Sequence, residues 1–291
     1  MRLLIVGGTG TVGSAVIAEA LRRGVDVQVM TRSAEKAAAL PASVTPVVGD
    51  LEKPETLPQA FAGVDAAFLA TALSQNETAM GLNAVQAARH AGLQQVVYMS
   101  VHRLRSAPHI PHFASKIPIE DALAQSGLAY TILQPNNFFQ NDYWFQDAIV
   151  RHGVYPQPLG AQGISRVDVQ DIALAAVNSI LDHQHAGQSY PLVGPDALTG
   201  AHTAEIYSRL LGRPVAYIGD DLDGWEQAVR AMLPEWLVTD LKIMYGHFLE
   251  HGLAASPAEL AACAHVLGRP PSSFAAWVET VAPAWLAADP A

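Results

Sequence analysis

The chain has 291 residues, of which half are apolar and 15% are charged, and its formal net charge is −10 with histidine neutral. This composition is typical of a globular protein with a large core. The acidic balance, without any basic run, argues against nucleic acid or an anionic membrane surface as a direct partner. The one cysteine, Cys263, excludes an intrachain disulfide and indicates a reducing compartment. No run of eighteen apolar residues occurs, so we expect a cytoplasmic protein without a membrane span.

The segment from Leu3 to Gly13 predicts a nucleotide-binding turn. Four apolar residues indicate a buried parallel strand, and glycines follow at positions 7, 10 and 13 before a helical pattern that runs to Arg23. Gly7 would permit the tight turn, Gly10 would let the backbone approach a pyrophosphate, and Gly13 would let the helix pack closely on the strand. The unpaired N–H groups at the start of that helix favour an anion. An ordinary glycine-rich turn is the alternative.

The end of the second predicted strand, over residues 25–30, indicates which dinucleotide binds. An acidic residue at this point would hold the ribose diol of NAD, whereas an arginine accommodates a 2′-phosphate. The strand ends at Arg32, with Lys36 one helical turn later, and Asp26 stands at its start. The planar guanidinium suits a phosphate, so the sequence favours NADP(H) over NAD. A solvated loop arginine is the alternative.

Strands and helices alternate along the first two thirds of the chain. The predicted strands span 3–6, 25–30, 44–48, 64–70, 96–99, 130–133 and 189–193, and the predicted helices after the first span 34–40, 54–61, 77–91, 117–125 and 172–181. Right-handed crossovers then give an α/β fold with a doubly wound parallel sheet of the Rossmann type and a ligand at the carboxyl ends of its strands. Asp50, after the third strand, is a candidate adenine contact, and capping of the next helix is the alternative.

The rest of the chain predicts a smaller, mainly helical lobe on the substrate side. A loop is expected over 102–111, a strand over 166–169 and a helix capped by Asp171, followed by helices over 203–211, 222–232, 235–249, 257–267 and 272–285, with a short strand over 215–218. We expect the dinucleotide-binding domain to comprise 1–152 and 164–198, and the smaller lobe 153–163 and 199–291.

Several motifs together resemble the NmrA-like branch of the atypical short-chain dehydrogenase/reductase superfamily. The resemblance covers about residues 1–220, and it is carried by GGTGTVG at 7–13, Thr31-Arg32, Gly49-Asp50, Ser100, His112 with Lys116 and Glu120, SGLAYTILQPNNFFQN at 126–141, RVDVQDIA at 166–173 and LLGRP at 210–214. It implies an NADP(H)-binding Rossmann fold with a smaller carboxyl-terminal lobe over the nicotinamide. Members of the branch include reductases of quinones and other flat conjugated compounds, and cofactor-sensing regulators with no established turnover.

Three residues are the candidates for catalysis. The superfamily's Tyr-x-x-x-Lys pair is replaced by His112 and Lys116. Lys116 could hydrogen-bond the hydroxyls of the nicotinamide ribose and pair with Glu120 four residues later, and a solvated lysine is the alternative. His112 could act as general acid or could only shape the pocket, with His102 and His109 as weaker rivals. Ser100 could hydrogen-bond a substrate carbonyl or contact the cofactor.

The segment after the sixth predicted strand supplies further candidates. Amides surround the turn where the backbone would meet the nicotinamide, and the residue before Pro135 is Gln134, where the family commonly has arginine. The densest aromatic cluster of the chain follows at Phe138, Phe139, Tyr143, Trp144 and Phe145. Aromatic faces suit a flat apolar ligand, and core packing between lobes is the alternative. The expected substrate contacts are His112, Phe139, Asn141 and Trp144.

The sequence therefore predicts an NADPH-dependent oxidoreductase that delivers hydride to a small conjugated acceptor such as a quinone, an enone or a carbonyl compound. A non-catalytic NADP(H)-sensing regulatory protein is the alternative, which the missing tyrosine favours. Besides the small apolar or conjugated substrate, a second copy of the chain and a regulatory protein are left open as partners. The predicted cofactor contacts are Gly7, Thr9, Gly10, Thr11, Val12, Gly13, Arg32, Lys36, Asp50, Leu51, Ala70, Thr71, Ser100, Lys116, Pro135, Asn136, Asn137 and Phe138.

Overall fold

The structure is a computed structural model that describes residues 1–38 and 40–287. The strands are β1 (Arg2–Val6), β2 (Asp26–Thr31), β3 (Thr45–Val48), β4 (Ala66–Leu69), β5 (Gln95–Met99), β6 (Tyr130–Pro135), β7 (Val154–Tyr155), β8 (Gln188–Leu192) and β9 (Ala216–Tyr217). The helices are α1 (Thr11–Arg22), α2 (Ala34–Ala38), α3 (Leu57–Phe61), α4 (Glu77–Ala91), α5 (Pro111–Ala114), α6 (Ile117–Gln125), α7 (Gln146–His152), α8 (Val169–Leu181), α9 (Gly200–Leu211), α10 (Leu222–Val229), α11 (Glu235–His251), α12 (Pro257–Leu267) and α13 (Phe274–Ala287). Short 3₁₀ segments lie at Pro54–Thr56, Leu104–Ser106, Phe139–Phe145 and His183–His185.

The described residues form two compact units. Unit 1 comprises Met1–Pro135, Val169–Leu192 and Ala262–Gly268, and unit 2 comprises Asn136–Asp168, Val193–Ala261 and the described residues from Arg269 onward. The sequence-based bounds place residues 136–152 with the first domain and residues 262–268 with the second, and those bounds stay a prediction. Within the described residues, no helix combines the length and the apolar character that crossing a membrane takes.

Unit 1 is built on one seven-stranded sheet. Its strand order is β3-β2-β1-β4-β5-β6-β8, and every neighbouring pair is parallel. The apolar run from Leu3 to Val6 is buried, as expected for a strand with helices on both faces. The predicted doubly wound parallel sheet is therefore confirmed.

The strand order reverses next to β1. The chain runs from β1 outward to β3 and then returns to β4 on the other side of β1, which opens a crevice between the loops that follow β1 and β4. These loops begin at Gly7 and Ala70, while Arg32 follows β2 and Ser100 follows β5. Because all strands are parallel, these four positions share one edge of the sheet, which we call the carboxyl edge.

Helices α4 and α6 pack at short distance in unit 1. A Cβ atom at Gly81 would lie 2.2 Å from Cδ1 of Ile119, so a larger residue would force the helices apart. The Thr78 hydroxyl donates to the Ser115 carbonyl at 2.7 Å, just before α6 begins. Gly92, with φ of 67°, ends α4 in the left-handed conformation, as the sequence predicts.

A late segment of the chain completes unit 1. Helix α8 packs on α1, and the Asn178 amide of α8 donates to the carbonyls of Val266 and Leu267 at 2.9 and 3.3 Å. Cys263, in the same helix α12, is fully buried. The first unit is thus assembled from three separate pieces of sequence.

Unit 2 is mainly helical. Its short ladder pairs β7 with β9, and α13 packs against α7 and α9. Phe139, Phe274 and Trp277 form its aromatic core, with the Phe139 and Phe274 ring centroids 5.2 Å apart and those of Phe139 and Trp277 5.8 Å apart.

Some element predictions are wrong. No strand spans 166–169: Val167 makes a single bridge to Phe138, and α8 already begins at Val169. Asp171 therefore lies in the first turn of α8 and is not its cap. The expected loop over 102–111 contains the 3₁₀ turn Leu104–Ser106. The helix predicted over 34–40 includes Ala39, which lies outside the described residues.

Candidate functional site

The glycine turn after β1 has the steric roles that the sequence predicts. Gly7 has φ of 82°, and a Cβ atom there would lie 2.6 Å from the Ala70 carbonyl oxygen. A Cβ atom at Gly13 would lie 2.2 Å from the Gly7 carbonyl oxygen, so the helix approaches the turn backbone as closely as glycine allows. At Gly10 a Cβ atom would meet only that same oxygen, at 3.4 Å, which is an ordinary contact. Internal packing therefore requires glycine at 7 and 13, whereas at 10 the open side suits the approach of a ligand.

Helix α1 begins directly after this turn, and no side chain caps its first backbone N–H groups. Gly10 is its N-cap and supplies no side chain to cap the first amides. Thr9, Gly10 and Thr11 are exposed, and Val12 is buried in the core. Twelve residues of aligned peptide dipoles point their positive end at the turn, which is the physical basis of phosphate binding at helix N-termini.

Two exposed cations follow β2, one directly after the strand and one in α2. Arg32 and Lys36 are both exposed, and the hydroxyl of the preceding Thr31 is buried without a hydrogen-bond partner among the described residues. A cleft of about 520 Å³ runs beside the turn, lined by Gly8, Thr9, Ser14, Ile17, Lys36, Leu40 and Pro41. Gly8, also in the turn, packs tightly against β2, because a Cβ atom there would lie 2.6 Å from Val29 Cγ1.

The residues after β3 have a local structural role. The Asp50 carboxylate accepts from the Glu52 amide at 3.0 Å, and the Asp50 amide donates to the Thr56 hydroxyl at 2.9 Å. The next helical turn has Lys53 as its N-cap, so the capping role considered for Asp50 is wrong. Leu51 is buried in the core of unit 1. Their predicted cofactor contacts stay predictions.

A buried polar cluster lies where β4 and β5 end. We call it the Lys116 cluster, and it consists of Thr71, Glu77, Tyr98, Ser115 and Lys116. The Lys116 ammonium forms an ion pair with Glu77 and lies 3.4 Å from the Thr71 hydroxyl and 5.9 Å from the Tyr98 ring centroid. Lys116 is 8% exposed and Glu77 1% exposed, so the solvated alternative for Lys116 is wrong. Burial and the nearby Glu77 carboxylate raise the pKa of Tyr98 well above its ordinary value, which keeps the phenol neutral.

The structure assigns Glu120 to other partners. Its carboxylate accepts from the Gln134 amide at 2.9 Å and lies 3.5 Å from the Arg105 guanidinium. The predicted helix-face pair between Lys116 and Glu120 is therefore wrong, because Lys116 turns inward to Glu77. Gln134, which stands where the family commonly has arginine, is held by the same carboxylate.

Ser100 and His112 lie in the same unit as the Lys116 cluster. Ser100 is buried at the carboxyl edge, and its hydroxyl has no hydrogen-bond partner among the described residues. A buried hydroxyl without a partner is uncommon in proteins, so a ligand atom is a reasonable partner for it. His112 lies in α5, is half-buried, and its ring meets that of Phe113 edge-on at 4.8 Å. The rival His102 is buried and His109 is exposed.

The amides that follow β6 make contacts within unit 2. Asn136 is buried and its side chain donates to the Leu253 carbonyl at 2.8 Å, while its side-chain oxygen accepts from the backbone N–H of Asn137 at 2.7 Å. Phe138 is half-buried, and its carbonyl accepts from Arg166 at 2.7 Å. Pro135, the last residue of β6, belongs to unit 1 and is buried. These contacts hold the backbone of the segment, and the cofactor contacts predicted for its residues stay predictions.

The aromatic cluster divides into buried and exposed members. Phe139 is 1% exposed and packs in the core of unit 2, and its predicted substrate contact stays a prediction. Trp144 is 73% exposed and Tyr143 is 47% exposed, with Tyr143 lying edge-on to Trp277 and Trp285. Trp144 is therefore the most exposed aromatic side chain of this segment. The backbone N–H of the half-buried Asn141 donates to the Phe138 carbonyl, and the predicted substrate contact of its side chain stays a prediction.

A buried ion pair in unit 2 escaped the sequence analysis. Arg166 and Asp142 are both fully buried, and the guanidinium donates to the carboxylate at 2.7 and 3.1 Å. The Tyr207 hydroxyl donates to the same carboxylate at 2.8 Å, and the Arg166 Nε donates to the Asn137 oxygen at 3.0 Å. Burial lowers the pKa of Arg166, but the Asp142 carboxylate, together with Tyr155 and Tyr207, more than offsets this and holds it above its ordinary value. The one signal for this pair was the RVDV motif, which was interpreted as a strand.

Glu77 is the other residue that sequence reasoning missed. It opens α4, where a glutamate is ordinary because a carboxylate stabilises the helix dipole. Nothing in its sequence neighbourhood distinguishes a buried ion-pair partner from an exposed residue of the first helical turn. Only the fold, which brings α4 and α6 together, reveals the pairing with Lys116.

Taken together, the carboxyl edge of unit 1 fits a phosphorylated dinucleotide. The glycine turn and the start of α1 suit a pyrophosphate, Arg32 and Lys36 suit an additional phosphate, and Ser100 and Lys116 offer buried donors. Nothing in this donor set requires a metal ion, and the described residues contain no group of three or more potential metal ligands.

Comparison with known proteins places this geometry in context. The model of the NmrA-like family matches residues 1–266. An NAD(P)H azoreductase of Xenophilus azovorans is 35% identical over 290 residues, covering 98% of this chain and 100% of the relative. A photosystem II assembly factor of Synechocystis sp. is 32% identical over 222 residues, covering 73% of this chain and 68% of the relative. The solved structure of an NADPH-dependent quinone oxidoreductase from Escherichia coli, complexed with NADPH, has a TM-score of 0.85 at 26% identity and covers 96% of this chain and 99% of its own.

Proposed function

The chain belongs to the NmrA-like family and is an NADPH-dependent oxidoreductase, and we propose that its acceptors are small flat conjugated compounds, aromatic azo compounds and quinones first among them. The observation that carries the choice of acceptor is the 35% identity, over nearly the full length of both chains, to a protein named as an NAD(P)H azoreductase. The exposed face of Trp144 supports it, because an aromatic face suits a planar ring.

The residues of unit 1 would hold the cofactor. The amides at the start of α1 and the open side of Gly10 would receive the pyrophosphate, and Arg32 with Lys36 would receive the 2′-phosphate. Ser100 and Lys116 would donate to the ribose on the nicotinamide side. Asp50, Ala70 and Thr71 line the same edge beyond β3 and β4. When bound, NADPH supplies a hydride, and the protein contributes position and a proton.

The proton is proposed to come from His112. Reduction of a conjugated acceptor by two electrons consumes one proton for each hydride, and the half-buried imidazole of His112 is a side chain of the type that serves as general acid. A water molecule held by His112 or Ser100 would serve the same purpose. The burial of Lys116 against Glu77 argues against the lysine as the proton donor, because its ammonium is already committed to a carboxylate.

A non-catalytic NADP(H)-sensing role is the second candidate. It is favoured by the missing Tyr-x-x-x-Lys pair and by the match to a relative named as an assembly factor. Such a protein would bind NADPH through the same glycine turn and present a surface to another protein. A regulatory partner, a second copy of the chain and the cytoplasm as compartment all remain proposals that rest on the sequence alone.

The deciding experiment follows NADPH oxidation at its absorbance band with purified protein. The panel would contain an aromatic azo dye, two quinones, an enone and an aldehyde, after an NADPH titration has established binding. We expect oxidation with the azo dye or a quinone, and slower oxidation with NADH. Tight NADPH binding without oxidation on any acceptor would refute the proposed acceptor class and favour the sensing role.

A further inference from the structure

Glu77 is built into unit 1 as a receiver of hydrogen bonds. Its side chain is 1% exposed, and three donors converge on its two oxygens. The Thr71 hydroxyl donates to Oε1 at 2.7 Å, the Ser115 hydroxyl donates to Oε2 at 2.8 Å, and the Lys116 ammonium completes the set. A buried carboxylate is stable only when it is paired and hydrogen-bonded in this way, so the arrangement is specified in detail.

These donors come from separate segments that meet at the carboxyl edge. Thr71 follows β4, Glu77 opens α4, and Ser115 and Lys116 lie between α5 and α6. The carboxylate therefore fixes the ammonium relative to the end of β4, where the crevice beside β1 opens. The Tyr98 ring, 5.9 Å from the ammonium, limits its movement on the side of the core.

The contacts leave the lysine one donor for a ligand. An ammonium carries three N–H groups, and Glu77 and Thr71 account for two of them. The ion pair has no net charge, so the remaining N–H suits a neutral hydroxyl better than a phosphate. A ribose hydroxyl is such a group, whereas the phosphates have Arg32, Lys36 and the start of α1.

We propose that Glu77 is a positioning residue, which holds Lys116 in the orientation that donates to the nicotinamide ribose and compensates its charge. This inference rests on the proposed function, in which Lys116 contacts that ribose. It assigns to the first residue of α4 a role in cofactor binding that acts entirely through Lys116.

A purely structural role for Glu77 is the competing explanation. Glu77 also links α4 to the segment before α6, but other contacts join these two segments as well. Gly81 lets Ile119 pack against the α4 backbone, and the Thr78 hydroxyl donates to the Ser115 carbonyl. Thr78 is one residue from Glu77 and bridges the same two segments, whereas the Lys116 ammonium bonds to Glu77 and Thr71. Thr78→Val is therefore a matched control for the structural contribution.

The experiment is a double-mutant cycle read by NADPH titration. Glu77→Gln keeps the size and the acceptor oxygen but removes the charge, and Lys116→Met removes the donor. We expect each single variant to raise the dissociation constant for NADPH about tenfold, the effect of losing one charge-assisted hydrogen bond, and the double variant to be no weaker than Lys116→Met alone. Thr78→Val is expected to lower the melting temperature and to leave the dissociation constant within about twofold. Glu77→Asp, which keeps the charge, serves if Glu77→Gln does not fold, and it should recover part of the affinity.

Each outcome either supports or overturns the inference. Unchanged NADPH affinity in Glu77→Gln, or losses that simply add in the double variant, would overturn it, because a residue acting through Lys116 cannot weaken a protein that lacks Lys116. The result is independent of acceptor turnover. Coupled losses in a protein that oxidises no NADPH would retain the Glu77 role and reject the reductase, whereas turnover with an unaffected Glu77→Gln variant would do the reverse.

Discussion

Replacing Asp142 by asparagine tests how unit 2 is held together. The carboxylate is fully buried and receives two guanidinium N–H groups of Arg166, at 2.7 and 3.1 Å, and the Tyr207 hydroxyl at 2.8 Å. Asparagine has the same shape but no charge, and it turns one N–H₂ group toward donors. The variant therefore leaves a buried guanidinium without its counter-ion while the packing volume stays constant.

The expected cost follows from the burial of both partners. Removing one member of a buried ion pair costs about 3–5 kcal/mol, because the remaining charge has neither water nor a partner. For a protein of this size, each kcal/mol lowers the melting temperature by about 2–4 °C, so we expect a decrease of roughly 6–20 °C. Arg166 cannot escape the penalty by losing its proton, because a guanidinium stays protonated in proteins even when it is buried.

The assay is thermal unfolding followed by circular dichroism, with urea unfolding as a second measurement. Asp147→Asn is the matched control, because Asp147 is 78% exposed and lies 3.7 Å from Arg151 on the same stretch of chain. That variant should lose less than about 0.5 kcal/mol, as exposed pairs usually do. A double variant, Asp142→Leu with Arg166→Met, should be less destabilised than the sum of its single variants. A melting temperature of Asp142→Asn within about 2 °C of the wild type would correspond to a loss of no more than about 1 kcal/mol. That result would refute the reasoning from the buried charge.

The remaining predictions concern the cofactor, the proton and pH. Arg32→Ala should raise the NADPH dissociation constant about tenfold or more through the loss of a charge-assisted phosphate contact and leave that for NADH nearly unchanged, with the exposed Arg22→Ala as control; equal weakening of both would remove the 2′-phosphate assignment. His112→Phe should lower acceptor turnover about 100-fold with little change in NADPH affinity, and an unaffected rate would clear His112 of a proton role. Burial raises the pKa of Tyr245 to about 12, so its contribution to stability is complete below pH 10, where both states keep the proton, and declines above it as the unfolded chain ionises first. Between pH 10 and 12, the free energy of unfolding measured with urea should fall less steeply with pH for Tyr245→Phe than for the wild type, by up to about 1.4 kcal/mol per pH unit. The same pH dependence in both proteins would contradict the burial argument.

Most of unit 1 could be predicted from local sequence patterns. The apolar run at Leu3 and the glycines at 7 and 13 specify a strand, a turn and a closely packed helix, since each step depends on neighbours along the chain. Helix α4 was predicted from Glu77 to the closing glycine at 92 for the same reason. The parallel order of the sheet followed from the alternation of elements and the handedness of their crossovers.

Contacts between residues far apart in the sequence could not be predicted. The pairing of Lys116 with Glu77 spans 39 residues, and the nearer Glu120 attracted the prediction because helix spacing is visible in sequence. The sequence predicts a strand over 166–169, whereas the Arg166 side chain is buried to meet Asp142, 24 residues earlier. Such pairs depend on how elements dock, and no local pattern reports that.

The discontinuous make-up of unit 1 has a consequence for how the protein is made. Its sheet lacks its last strand until residue 192 has been synthesised, and the partners of Asn178 at Val266 and Leu267 are synthesised later still. A nascent chain can form β1 to β6 early, but its edge at β6 then waits for β8 while the polypeptide emerges at about 5–20 residues per second. Unit 1 is therefore completed long after its glycine turn has been translated. Its exposed strand edge in that interval is where chaperone binding or misassociation during synthesis would be concentrated.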